Sequence, residues 1–96
     1  MQNGDLVSII TPLYNSARFI EETIKSVQQQ TYPNWELVIV DDASSDRSVE
    51  IIQKLASNDG RIRLFTEEKN KGAAYCRNYA IKQAQGTYMA FLDSDD

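Results

Sequence analysis

Ninety-six residues with 42% hydrophobic and 25% charged content suit one small soluble domain and exclude a disordered chain. A net charge of −4 argues against a nucleic-acid partner held by a general basic surface, but allows an anionic phosphate ligand bridged by a divalent cation. Cys76 is the single cysteine, so no intrachain disulfide can form and a reducing, cytoplasmic setting is expected.

The opening "MQNGDLVSII" lacks a basic segment followed by a long apolar stretch, so it does not read as a signal peptide. "LVSII" (6–10) is a short apolar run closed by Thr11 and Pro12, the pattern of a buried strand. Asn15 or Ser16 is the expected cap of a helix with Ile20, Ile24 and Val27 at helical spacing. "TYPNW" turns the chain into "ELVIV" (36–40), a nearly all-apolar strand of the kind covered on both faces. Ser44, Ser45 and Asp46 form a second capping cluster, followed by Val49, Ile52 and Ala56 on one helix face. "RIRLF" (61–65) alternates, which predicts a more exposed edge strand. Gly72 should open a helix with a small-residue face of Ala73, Cys76, Ala80 and Ala84, and Gly86 should stop it. "TYMAFL" (87–92) reads as a fourth strand whose Phe91 and Leu92 belong to the core. No run approaches the roughly 20 apolar residues that a membrane span needs.

Alternating strands and helices with short connections predict an open, Rossmann-like α/β/α sandwich with a mostly parallel sheet in the order 3-2-1-4. Ligands of such sheets bind beyond the carboxyl ends of the strands, where the strand order reverses. The segments "TPLYN", "DDASSD" and "DSDD" should therefore meet on one rim. Carboxylates crowded there would repel one another unless a cation intervened, and oxygen ligands without His or Cys suit Mg²⁺ or Mn²⁺. On that reading Asp95 and Asp93 are candidate metal ligands, with Asp96 either a third or the cap of whatever follows. With aspartate this frequent, the D-x-D spacing alone is weak evidence, and a solvated turn is the plain alternative. Asp41 and Asp42 either cap the next helix or accept hydrogen bonds from a nucleoside. Pro12 and Tyr14 are either a turn residue and a half-buried aromatic or a wall for a flat base. Arg77 is either a surface charge or a phosphate partner. Cys76, among alanines and with no His to activate it, reads as a small core residue. Neither a dinucleotide fingerprint nor a P-loop is present.

Two longer stretches, "VSIITPLYNSARFIEETIKSVQQQTYPNWELVIVDDASSDRS" and "NKGAAYCRNYAIKQAQGTYMAFLDSDD", resemble the start of family 2 glycosyltransferases with the GT-A fold. The resemblance spans essentially the whole chain, with Ala43 where that family often has Gly and Ser45 where Thr is common. It implies an inverting transferase that moves a sugar from a nucleotide-diphosphate-sugar, with UDP-sugar the first expectation, to a saccharide or other hydroxyl acceptor in cell-surface polysaccharide synthesis. Pro12, Tyr14 and Asp42 would contact the nucleoside with Asp41 nearby, and Asp93 and Asp95 would form the D-x-D on Mn²⁺ or Mg²⁺. The general base falls after the D-x-D in that family, so residues 1–96 correspond to the donor-binding half and are expected to be inactive alone. Membrane association would then depend on sequence after Asp96, and an uncovered fourth strand would favour self-association. A nucleotidyltransferase would need a glycine-rich basic loop after the first strand. A receiver-like signalling module, the reading from another class, would need its acidic pair there. "TPLYNSARF" supplies neither.

Overall fold

A computed structural model describes residues 4–93. Along them run β1 (Val7–Leu13), α1 (Ile20–Gln29), β2 (Trp35–Asp41), α2 (Ser48–Ala56), β3 (Ile62–Thr66), α3 (Ala73–Gln83) and β4 (Tyr88–Phe91). The strands pair in parallel in the order β3-β2-β1-β4, as the alternating pattern predicts, so their carboxyl ends share one rim.

Strand periodicity of two divides the core between the two faces of this sheet. Trp35, Leu37 and Ile39 face α1 and α2, where they pack with Ile20, Ile24, Val27 and Ile52. Val38 and Val40 face α3 with Ile10, Cys76 and Ala80. Small residues at positions 76 and 80 let α3 lie close to the sheet. Full burial of each branched side chain in β2 contributes about 1.5–3 kcal/mol, which makes this central strand the main source of cohesion.

Several local expectations change in three dimensions. β1 does not stop at Thr11 but continues through Pro12, paired with Val40, to Leu13, paired with Asp41. Even-numbered residues of β1 turn their backbone polar groups toward β4, as the bonds from Thr87 N to Leu6 O and from Leu92 N to Ile10 O show. The β1–β4 ladder ends at Ile10, so the N–H that Pro12 lacks costs no described ladder bond. Neither Asn15 nor Ser16 caps α1 through its side chain. The helix begins at Ile20, and the Ser16 carbonyl accepts the N–H groups of Phe19 and Ile20. Asp46 does close the start of α2, accepting from the Ser48 N–H at 2.9 Å.

Gly86 does not stop α3, which ends three residues earlier at Gln83. Its reason is close approach. A Cβ there would lie 2.5 Å from Ser8 Oγ, 2.7 Å from Leu6 O and 2.8 Å from Ser8 N. Phe91 is not in the core: 60% of it is exposed, and all of β4 is open, because no described helix covers either face of this edge strand. Leu92 does pack against the core beside α1 and α2.

The end of the sheet opposite the rim holds a buried polar cluster that the apolar reading of β2 hides. Glu36 is 5% exposed and accepts from Ser8 Oγ (2.6 Å), Gln85 N (2.6 Å) and Arg63 Nη1 (2.7 Å). Burial pushes the Glu36 carboxyl up, but these donors outweigh it and hold its pKa below the ordinary glutamate value. Arg63 also donates to Gln83 O, and Ser8 Oγ accepts from Gly86 N, so the cluster ties the end of α3 and the start of β4 to the sheet.

Candidate functional site

The strand order reverses at β1, which has β2 on one side and β4 on the other. Above this point, on the α3 face, Pro12, Leu13, Tyr14, Asp42, Ala73 and Cys76 line a small cleft of about 70 Å³. Tyr14 stands at its lip with 52% of its surface exposed, leaving a ring face for a ligand. Cys76 is fully buried at the floor, and burial with the neighbouring Asp42 charge pushes its thiol up to about 12. It is an inert small residue, as the sequence predicts. A larger groove along the outside of α1, lined by Phe19, Glu22, Thr23, Lys25, Ser26 and Gln29, is open and lies on a helix flank away from the strand-order reversal.

Asp41 and Asp42 separate because alternation continues through the end of β2. Asp42 turns into the cleft. One oxygen accepts from Lys71 N at 2.7 Å and the other from Gly72 N at 2.9 Å, so it fastens the segment that opens α3. Gly72 has φ +94°, a left-handed conformation suited to glycine. Each carboxylate oxygen keeps a second lone pair for a donor in the cleft. Asp41 falls on the opposite face, is 1% exposed, and is absent from the cleft lining. Its oxygens accept from Ser44 N (3.0 Å) and Ser44 Oγ (2.6 Å) within the loop after β2, and they do not cap α2, whose Ser48 N–H goes to Asp46.

Asp93 follows Leu92, whose N–H still bonds to Ile10 O, so the chain continues along β1 toward the level of Pro12. Alternation puts Asp93 on the α3 face, exposed. Arg77 is exposed in the second turn of α3. Tyr79 meets Phe65 of β3 edge-on at 5.7 Å, which leaves Arg77 on the opposite flank, toward β4. Among the described residues Arg77 makes no salt bridge. Asp95 and Asp96 lie outside the described residues. The rim thus gathers Pro12, Tyr14 and Asp42, with Arg77 and Asp93 on the β4 side, and excludes Asp41.

Two of the carboxylates expected to crowd here, Asp95 and Asp96, lie outside the described residues, and among the described ones no group of three or more potential metal ligands converges. Asp41 is held by Ser44 N and Oγ, and Asp42 by the backbone N–H groups of Lys71 and Gly72. On the β4 side of the rim Asp93 presents an exposed carboxylate, a hard oxygen donor that fits Mg²⁺ or Mn²⁺ if Asp95 joins it. Asn15 and Ser44 were not singled out as site residues from sequence, because their partners are about 30 positions away. No described helix is long and apolar enough to cross a membrane.

The sequence model of the family described as "Glycosyl transferase family 2" matches residues 8–96. The chain belongs to this family. It is 53% identical over 91 residues to the Escherichia coli protein named UDP-Glc:alpha-D-GlcNAc-diphosphoundecaprenol beta-1,3-glucosyltransferase WfgD, covering 95% of this chain and 35% of that protein. Among solved structures it is similar to S. aureus TarS 1-349 in complex with UDP-GlcNAc, with a TM-score of 0.87 and 38% identity over 93% of this chain and 26% of that one. It is also similar to the mannosyltransferase PcManGT from Pyrobaculum calidifontis in complex with GDP-Man and Mn²⁺, with a TM-score of 0.86 and 32% identity over 93% of this chain and 27% of that one. The chain spans about a third of the length of the curated relatives it matches. These likenesses agree with the GT-A type of α/β fold implied by the sequence resemblance.

Proposed function

We propose that this family 2 chain is the donor-binding part of an inverting glycosyltransferase that uses a nucleotide-diphosphate-sugar, UDP-sugar first, in cell-surface polysaccharide synthesis at the cytoplasmic side. The observation that carries the reading is the cleft at the strand-order reversal, walled by Pro12 and Tyr14 and closed by Asp42. A flat base fits against Tyr14, and Asp42 offers lone pairs to its N–H groups. The diphosphate then runs toward β4, where Arg77 supplies positive charge and Asp93 and Asp95 would hold Mn²⁺ or Mg²⁺. The metal, when bound, neutralises charge on the departing nucleoside diphosphate. Complexes of the similar proteins with UDP-GlcNAc and with GDP-Man and Mn²⁺ support both parts. In this reading the acceptor hydroxyl attacks C1 from the opposite face, and its general base is supplied from sequence after Asp96.

Calorimetry of the 96-residue chain should show uridine diphosphate binding with Mn²⁺ and almost none with chelator. Equal affinity in both conditions overturns the metal bridge, and binding only of another nucleotide overturns the uridine assignment alone. Asp95→Asn should abolish the Mn²⁺ dependence while leaving the fold intact. The same reading expects no sugar transfer by this chain alone. It also expects self-association through the open β4 edge, to be read by light scattering.

A further inference from the structure

The loops that follow β1 and β2 are bolted together by side chains that do not line the cleft. Ser44 Oγ donates to Asp41 Oδ1 at 2.6 Å and accepts from Asn15 N at 2.8 Å. The direction of this relay is forced: the Asn15 backbone N–H can only donate, so Ser44 Oγ accepts it through a lone pair and its own hydrogen points to Asp41. From the other side, Asn15 Oδ1 accepts from Ser45 N at 2.8 Å and Asp46 N at 3.3 Å. Asn15 also sits at φ +49°, a conformation that its neighbours must hold. Its chain neighbour is Tyr14, the exposed wall of the cleft.

We infer that Asn15 and Ser44 are positioning residues for the nucleotide cleft: their reciprocal bonds, anchored on buried Asp41, hold Tyr14 at the cleft lip. The inference rests on the proposed nucleotide-binding function. It gives Asp41, which faces away from the cleft, an indirect part in binding. Without the clamp the Tyr14 loop samples other positions, and apparent affinity falls by the fraction of time it spends in place.

The test combines amide hydrogen exchange with titration of uridine diphosphate plus Mn²⁺, both on the 96-residue chain. Ser44→Ala removes donor and acceptor together. It should speed exchange at the Asn15 amide and weaken binding about tenfold, as expected if Tyr14 is in place a tenth of the time. Ser44→Thr, which keeps the hydroxyl, should restore both. Asn15→Ala should match Ser44→Ala in affinity. Ile62→Val, buried at the far end of the sheet, should lower thermal stability and leave affinity unchanged, which separates positioning from general loss of stability. Affinity within twofold of the parent for Ser44→Ala, with faster Asn15 exchange, overturns the inference. Unchanged Asn15 exchange overturns it as well. A parent chain that binds no nucleotide overturns the proposed function, and with it the cleft role, while the exchange data still report on the clamp.

Discussion

Gly86→Ala is the sharpest test of how the sheet places the β4 side of the rim. The added methyl would meet Leu6 O at 2.7 Å, Ser8 N at 2.8 Å and Ser8 Oγ at 2.5 Å. Two of these are backbone atoms of or beside β1, so they cannot rotate away. Relief requires the crossover before β4 to back off, which also stretches the bond from Gly86 N to Ser8 Oγ, now 2.8 Å. Overpacking of this kind costs about 1–3 kcal/mol and a lost hydrogen bond about 1 kcal/mol, so a loss of about 3 kcal/mol is expected. At about 4–8 °C per kcal/mol for a domain of this size, the midpoint should fall by about 12–24 °C. Urea and thermal unfolding followed by fluorescence of the single tryptophan, buried Trp35, measure both quantities. Gly60→Ala is the control, since a Cβ there meets nothing within 4 Å. If Gly86→Ala stays within about 0.5 kcal/mol of the parent, the range expected of surface changes, the close-approach argument fails.

Asp42→Asn leaves one acceptor for two backbone N–H groups and should cost about 2 kcal/mol in urea unfolding. Calorimetry should show nucleotide binding lost with it. Ala43 sits at φ +60°, so Ala43→Gly should stabilise by about 1 kcal/mol, read as a higher urea midpoint. A lower midpoint would remove strain as the explanation. The Glu36 carboxyl titrates below its ordinary 4.5 in the folded chain, so the unfolded chain takes up the proton first. Stability should be level above that value and fall as pH drops through the folded pKa. Glu36→Gln should flatten this slope. Asp59, held down to about 2 mainly by Arg61, keeps a residual slope in both proteins.

The arrangement of elements was legible in the sequence because hydrophobic period is local. "ELVIV" is short, β-branched and bounded by turns, the pattern of a strand covered on both faces, and Gly72 before a run of small residues marks a helix that lies close to a sheet. Pro12, Tyr14 and Asp42 were legible as cleft residues because they sit at or just beyond the carboxyl ends of strands that share one rim in a parallel sheet. Other features depended on partners far along the chain. Asp41 and Asp42 look equivalent side by side, and only the register of β2 sends one to Ser44 and the other into the cleft. Glu36 reads as the polar edge of an apolar strand until Ser8, Arg63 and Gln85 converge on it from three other segments. Gly86 reads as a helix stop, whereas the packing of β4 against Leu6 and Ser8 is what excludes a side chain there. Sequence alone determined which segments are strands and helices and which rim carries the polar clusters. Tertiary structure decided what each polar group touches, since a carboxylate's role depends on the donors within about 3 Å of it, and here those donors lie up to 49 residues away.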